Sequence, residues 1–214
     1  MKILRNPRRD RALIGLSLVH APLLLAFPTW WMIGLLFWWN ANTVSHNFIH
    51  RRFFRPAWLN HVFSVYLTLL LGLPHRVWRD RHLAHHGERP WRCRASKQLV
   101  SETLLVSMLY AGILGLAGPA GFGLYMAGLA FGLLLSWLQG HYEHVHGTRS
   151  YYGAVYNLLF FNDGYHVEHH LFPGKAWNEL KDLKPCTSKI KHASRWPAVL
   201  RWLETNMPPD RPTV

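Results

Sequence analysis

Four short clusters carry most of the chemistry this chain can do: His46-Asn47-Phe48-Ile49-His50, His82-Leu83-Ala84-His85-His86, His141-Tyr142-Glu143-His144-Val145-His146 and His166-Val167-Glu168-His169-His170. There are 15 histidines in 214 residues, and their grouping matters more than their number. Imidazole is the commonest protein ligand of divalent transition metals. Residues at i, i+3 and i+4 share one helix face, so each cluster aims two or three ring nitrogens at one point. A single HxxxH pair arises easily and is more often structural. Several such boxes in order, on separate helices, predict a polynuclear metal site.

The elements that must position these rings are apolar. Half of the residues are hydrophobic, 11 are Trp, and the net charge is +13. A balance this basic suits nucleic acid, an anionic membrane surface or an acidic partner. The distribution decides. Ala12 to His50 contains no charged residue, and Gln98 to Thr148 contains no Lys or Arg and only Glu102 and Glu143 as acids. Two such tracts exclude a nucleic-acid binder and predict an integral membrane protein. The two cysteines, Cys93 and Cys186, form no CxxC pair, which excludes a zinc finger and a disulfide framework. Cys93 reads as an inert thiol.

A bilayer core of about 30 Å takes roughly 20 apolar residues to cross. The pattern predicts spans near Ala12 to Phe27, Trp30 to Ser45, Leu99 to Leu116 and Gly121 to Leu138, as two hairpins turned at Pro28-Thr29 and at Gly118-Pro119-Ala120-Gly121. The first reads as an uncleaved span behind a basic flank, since no small-x-small cleavage site follows it. A fifth run, Trp58 to Leu73, ends at Gly72 and Pro74 with charges on both flanks, and fits a re-entrant or interfacial helix. With that parity every histidine cluster faces one compartment. So do Arg5, Arg8, Arg9 and Arg11, the arginines from Arg51 to Arg94, and Arg149 and Lys175, and the positive-inside rule makes the compartment cytoplasmic. The expected fold is all-α: one membrane domain over residues 1–214, with four transmembrane helices, one short re-entrant or interfacial helix, and a cytoplasmic histidine-rich cap at 46–97 and 140–214. Gly128, Gly132, Ser136 and Gly140 form a small-residue stripe that predicts close helix packing. Asn178 to Lys184 and Trp196 to Glu204 read as short surface helices, the second turning Trp196, Leu200 and Leu203 inward.

At the third box the sequence resembles the membrane fatty acid desaturase and hydroxylase superfamily, whose members carry boxes of the form HxxxH, HxxHH and HxxHH. Asn162-Asp163-Gly164-Tyr165-His166-Val167-Glu168-His169-His170-Leu171-Phe172-Pro173 is most similar to sphingolipid-desaturase-type members. The resemblance runs from the first span to Pro173 and implies two irons, O2 as co-substrate, and removal of hydrogen from, or hydroxylation of, an unactivated carbon. It assigns His46 and His50 to the first box, His82, His85 and His86 to the second, and His166, His169 and His170 to the third. His144, in a segment like N-x-x-E-H, becomes a ninth ligand. The asparagine of that segment is replaced by Gly140, for which Gln139 or His141 stands in. All-imidazole shells suit iron, and each ring needs a partner on its far nitrogen. Asp80, Glu88, Glu143, Asp163 and Glu168 are candidates for that role, with Asp163 and Glu168 preferred because they flank the tightest match; His141 and His146 are further candidates beside the metal.

The implied activity is desaturation of a lipid acyl chain. Lipid or carotenoid hydroxylation or ketolation is the alternative within the superfamily, and a non-catalytic metal-binding membrane protein is the alternative outside it. No flavin motif or cytochrome b5 module is visible, so a separate donor, a ferredoxin or cytochrome b5 type with its reductase, is expected. A bacterial inner membrane is favoured over endoplasmic reticulum. His20, inside the first span, reads as a hydrogen-bonded neutral ring, and His61, His75 and His192 as interfacial. Trp30, Trp31, Trp38 and Trp39 read as interface anchors.

Overall fold

The structure, a computed structural model, describes residues 3–145, 147–183 and 193–205. Among these residues the protein is all-helical, with no β-structure beyond isolated bridges. His146, Cys186 and His192, and the Lys184 end of one expected surface helix, lie outside the described residues. The chain divides into two compact units, Met1–Leu134 and Leu135–Val214.

In the first unit, α1 (Pro7–Ala26) starts five residues before the apolar tract. Pro7 takes the first helical position, where its missing N–H costs nothing, and Asp10 accepts the Asn6 N–H at 3.1 Å. The charged turn 7–11 is therefore helical, which hydropathy alone does not reveal. Phe27, Pro28 and Thr29 make the link to α2 (Trp30–Trp39). That helix does not stop at Ser45. It widens into a π turn, Asn40–Ser45, and continues as α3 (His46–His50). The π turn closes on itself: the His46 N–H reaches the carbonyls of Ala41 and Thr43.

α4 (Ala57–Leu71) ends where Gly72 adopts φ 63°, a left-handed cap that suits glycine. A Cβ there would run into the Tyr125 hydroxyl. Pro74 opens α5 (His75–His86), and the two helices meet at 98°. The run from Trp58 therefore turns sharply instead of continuing. α6 (Lys97–His144) is the one helix, among the described residues, long and apolar enough by itself to cross a membrane. It is not one rod. Gly118 leaves helical geometry at φ 66°, ψ −177°, with Pro119 behind it. Tyr110 on one arm and Tyr125 on the other bring their rings to 6.0 Å, so the arms fold back on each other. The turn lies where the sequence put it. Met108 and Leu116 on the first arm are 70% and 94% exposed.

The core of this unit lies between α2, α4 and the second arm of α6: Phe37, Ala41, Leu71 and Leu129 are buried together. Phe48, Phe53 and Phe63 make a second knot, with Phe48 and Phe63 rings 5.0 Å apart. Each such ring contributes roughly 1.5–3 kcal/mol by leaving water. The small-residue stripe packs as expected at two positions. A Cβ on Gly128 would lie 2.7 Å from the Trp30 carbonyl, and one on Gly132 would lie 2.8 Å from the Gly34 carbonyl. Gly140, at the end of the stripe, has nothing within 4 Å of its would-be Cβ.

In the second unit, short helices α7 (Ala154–Leu159), α8 (His166–Leu171) and α9 (Trp177–Leu180) follow the end of α6. A 3-10 turn at Ala198–Leu200 then leads to α10 (Trp202–Thr205). Pro197 splits the expected Trp196 helix, and Leu200 is exposed. The side chain that goes inside is Arg201, whose guanidinium donates to the Tyr142 carbonyl.

Candidate metal centre

The first box straddles α3, and the second ends α5. Because α5 turns away from α4, its C-terminal face meets α3. His50 and His82 place their Nε2 atoms 2.7 Å apart, and His82 and His86 theirs 3.0 Å apart. The His46 and His82 rings lie 4.5 Å apart. One donor atom from each of His46, His50, His82 and His86 falls within 4.8 Å of every other. His46 Nδ1 contacts the Asn42 carbonyl at 3.1 Å, which turns Nε2 inward. The His82 ring is kept neutral, well below its ordinary pKa, by desolvation and then by His46, His50 and His86. Neutral imidazole is the form that binds metal.

The second unit repeats the pattern. His144 at the end of α6 and His166 at the start of α8 have Nε2 atoms 2.9 Å apart, and the His170 ring lies 4.6 Å from that of His166. The donors of His144, His166 and His170 are also mutually within 4.8 Å. Thr148 Oγ1 lies 3.3 Å from His144 Nδ1. His85 sits 6.4 Å from His82, and His169 sits 6.2 Å from His166, each one helical step from its own group.

These separations test the fit of a metal. Two nitrogens about 2.1 Å from one ion at right angles are about 3 Å apart, the spacing both groups show. Neutral imidazole nitrogens of this kind suit iron, zinc or copper.

The carboxylates do different work. Glu168 is fully buried and accepts from Ser150 Oγ at 2.6 Å and Tyr152 OH at 2.7 Å. Asp163 accepts from Gln139 at 2.7 Å and Tyr156 at 3.0 Å. Gln139 also donates to Glu143 at 3.1 Å, and the other Glu143 oxygen lies 3.5 Å from His166 Nε2. Burial and then the Asp163 charge push the Glu143 carboxyl well above the usual range. So Gln139, not His141, faces the second group. The His141 ring is exposed and stacks on Trp137 at 5.3 Å. Asp80 pairs with Arg76 and Arg79, and Glu88 and Cys93 are exposed.

One expectation is corrected. His75 is not interfacial: it is fully buried at the start of α5, with Nδ1 2.8 Å from Ser64 Oγ and Nε2 3.0 Å from Ser45 Oγ. Burial, then Arg52 and Arg79, bring its pKa down to about 3. It lacks an i±3 or i±4 histidine, so box-reading passes over it. His20 does accept a hydrogen bond, from Asn40 at 2.6 Å.

The pattern of the family described as Fatty acid desaturase matches residues 87–197, just over half of the chain. The chain belongs to that family. The matched range holds the second histidine group and the third box. Sphingolipid delta(4)-desaturase of Mus musculus is 38% identical over 86 residues, covering 35% of this chain and 26% of that protein. Its counterpart in Gallus gallus is 51% identical over 66 residues, covering 28% and 20%. The sn-1 acyl-lipid omega-3 desaturase (ferredoxin) of Nostoc is 31% identical over 81 residues, covering 36% and 23%. The chain thus matches about a quarter of the length of these relatives. No solved structure matches.

Proposed function

We propose that this chain is an O2-dependent membrane oxidoreductase that desaturates the acyl chain of a lipid. The observation that carries the reading is a pair of imidazole groups, each at ligand spacing, in a chain of the desaturase family. His46, His50, His82, His85, His86, His144, His166, His169 and His170 are the proposed ligands of two irons. When bound, the irons supply the oxidising power to take hydrogen from an unactivated carbon, with O2 and external electrons. The chain's own residues do the rest. Asn42 and Thr148 turn His46 and His144. Glu168 ties Ser150 and Tyr152 to the third box. Gln139 holds the Glu143 carboxyl next to His166. Four spans, with residues 46–97 and 140–214 on the cytoplasmic side, make up the proposed single domain, and a separate ferredoxin or cytochrome b5 type donor supplies electrons. The exposed apolar side chains of α6 support the membrane setting, and the name of the Nostoc relative supports the donor class. A bacterial inner membrane remains the preferred location.

The test is product analysis with purified protein, a labelled lipid, a reductase and an electron donor. A new double bond without added oxygen is expected, with iron near two equivalents. A hydroxylated product selects the hydroxylase reading, and zinc with no turnover selects a metal-binding protein. His85→Ala and His169→Ala are each expected to abolish turnover while membrane insertion persists.

A further inference from the structure

His75 lies inside a buried polar chain that no histidine box accounts for. Glu102 is the lone acid on the first arm of α6 and is 1% exposed. Its Oε2 accepts the backbone N–H of Arg76 at 2.8 Å, and its Oε1 accepts from Gln98 at 2.8 Å. Both of these partners are N–H donors, and Gln98 is itself oriented by Arg76, whose guanidinium donates to its Oε1 at 3.4 Å, so both oxygens of Glu102 act as acceptors. Ser64 Oγ, from α4, lies 3.5 Å from Oε1. That link is long, but its sense follows from its partner: Oε1 is an acceptor, as its bond from Gln98 shows, so the Ser64 hydroxyl donates to it.

The direction then propagates. With its own hydrogen aimed at Glu102, Ser64 Oγ can only accept from His75 Nδ1, 2.8 Å away. His75 is neutral and has one ring N–H, so Nε2 is an acceptor and Ser45 donates to it at 3.0 Å. Ser45 ends the π turn, one residue before His46. Ser45, Ser64, Thr68 and His75 are all at least 98% buried, and Thr68 Oγ1 accepts the His75 backbone N–H at 3.2 Å. Water does not compete, so the chain is not scrambled by solvent.

We propose that Glu102 is a positioning residue: through Ser64 and His75 it sets a one-way hydrogen-bond chain that ends on Ser45 and holds α3 in register with α5, so that His46 and His50 meet His82 and His86. The inference rests on reading those four rings as ligands of one metal position. It adds three predictions specific to this chain. His75 is the Nδ1–H tautomer, the minor form in water. Replacing Glu102 by Gln reverses the chain, since an amide cannot accept on both sides; its N–H faces Ser64, Ser64 donates to Nδ1, and the proton moves to Nε2. The misdirected chain loosens the first metal position and leaves the second alone.

The test uses the full chain in detergent micelles. Nitrogen-15 spectra of labelled histidine, assigned by the signal lost in His75→Gln, read the tautomer. Titration of metal-free protein with Co(II), followed by its d–d bands, reads the metal positions. The expected result is Nδ1–H in the wild type, Nε2–H in Glu102→Gln, and about tenfold weaker binding of one of two cobalt equivalents, the scale on which partners behind metal ligands act. Nε2–H in the wild type overturns the proposal, as does a Glu102→Gln protein with unchanged tautomer and cobalt binding. If Glu102→Gln does not fold, Ser45→Ala removes only the last link: one cobalt step is expected to weaken about tenfold, and unchanged steps overturn the proposal. A wild type that takes up fewer than two cobalt ions breaks the two-metal reading instead, while the tautomer still decides the direction of the chain.

Discussion

The two histidine groups share spacing and differ in what braces them. The first is held inside helices. Its rings stand on α3 and α5, and behind them runs a chain of two serines and a neutral imidazole ending on Glu102. Arg52 and Arg79 add positive charge beside that imidazole, and Asp80 pairs with Arg79. The second is held by a loop and by carboxylates. Glu168 clamps Ser150 and Tyr152, and Asp163 and Glu143 share Gln139. The same ligand type is thus braced by helix-borne hydroxyls and an imidazole in one group, and by a loop and buried carboxyl groups in the other.

The largest expected effect treats the groups alike. His82→Ala and His166→Ala each remove a ring central to its group. Each is expected to abolish turnover and to lower bound iron from about two equivalents to about one, read by elemental analysis. Loss of both irons from either variant would show one shared position and collapse the comparison.

The next effects separate them. Glu168→Gln turns one side of a buried acceptor of two hydroxyls into a donor and is expected to cost about 2–3 kcal/mol in unfolding experiments, while binding at the first group persists. On the other side, His75 makes the first group acid-sensitive. Unfolded, it takes a proton near its ordinary 6.5; folded, only near about 3. Between those values the unfolded state binds more protons, so stability falls as pH drops and is fully present above 6.5. From pH 6.5 to 5 the loss is about 2 kcal/mol. Metal-free His75→Gln should show a flatter pH profile than metal-free wild type; equal slopes would remove His75 as the cause. Smaller still, Gly132→Ala presses a methyl toward the Gly34 carbonyl and is expected to cost about 1–2 kcal/mol. Cys93→Ser, at an exposed thiol, should shift stability by less than about 0.5 kcal/mol and leave metal content untouched.

Local patterns in the sequence carry the boxes and the elements that bear them. HxxxH and HxxHH are helical signals, and within the first unit the rings of α3 and α5 meet, while within the second those of α8 meet His144. Gly118-Pro119 marks the fold-back of α6, and Gly72 with Pro74 marks the bend after α4. Boundaries were less legible, since Pro7 to Arg11 are helical although charged. The bracing residues were hidden for a different reason. His75, Ser45, Ser64 and Glu102 are far apart in the chain, and each alone looks ordinary. Their meaning lies in contacts that only tertiary structure creates. Gln139 was half visible, as a stand-in for a missing asparagine, but its bridge between Glu143 and Asp163 depends on a loop that no periodicity predicts.

The π turn at Asn40–Ser45 has a mechanical consequence. Such a turn amounts to one extra residue wound into an otherwise regular helix, and each residue of an α-helix advances the azimuth by about 100°. Excising a single residue there would let the segment relax to ordinary winding and swing His46 and His50 around by about that angle, aiming them away from α5, although no imidazole had been touched. The extra residue in this turn therefore lets one continuous rod show two independent faces, one to its helical neighbours and one to the imidazoles of α5.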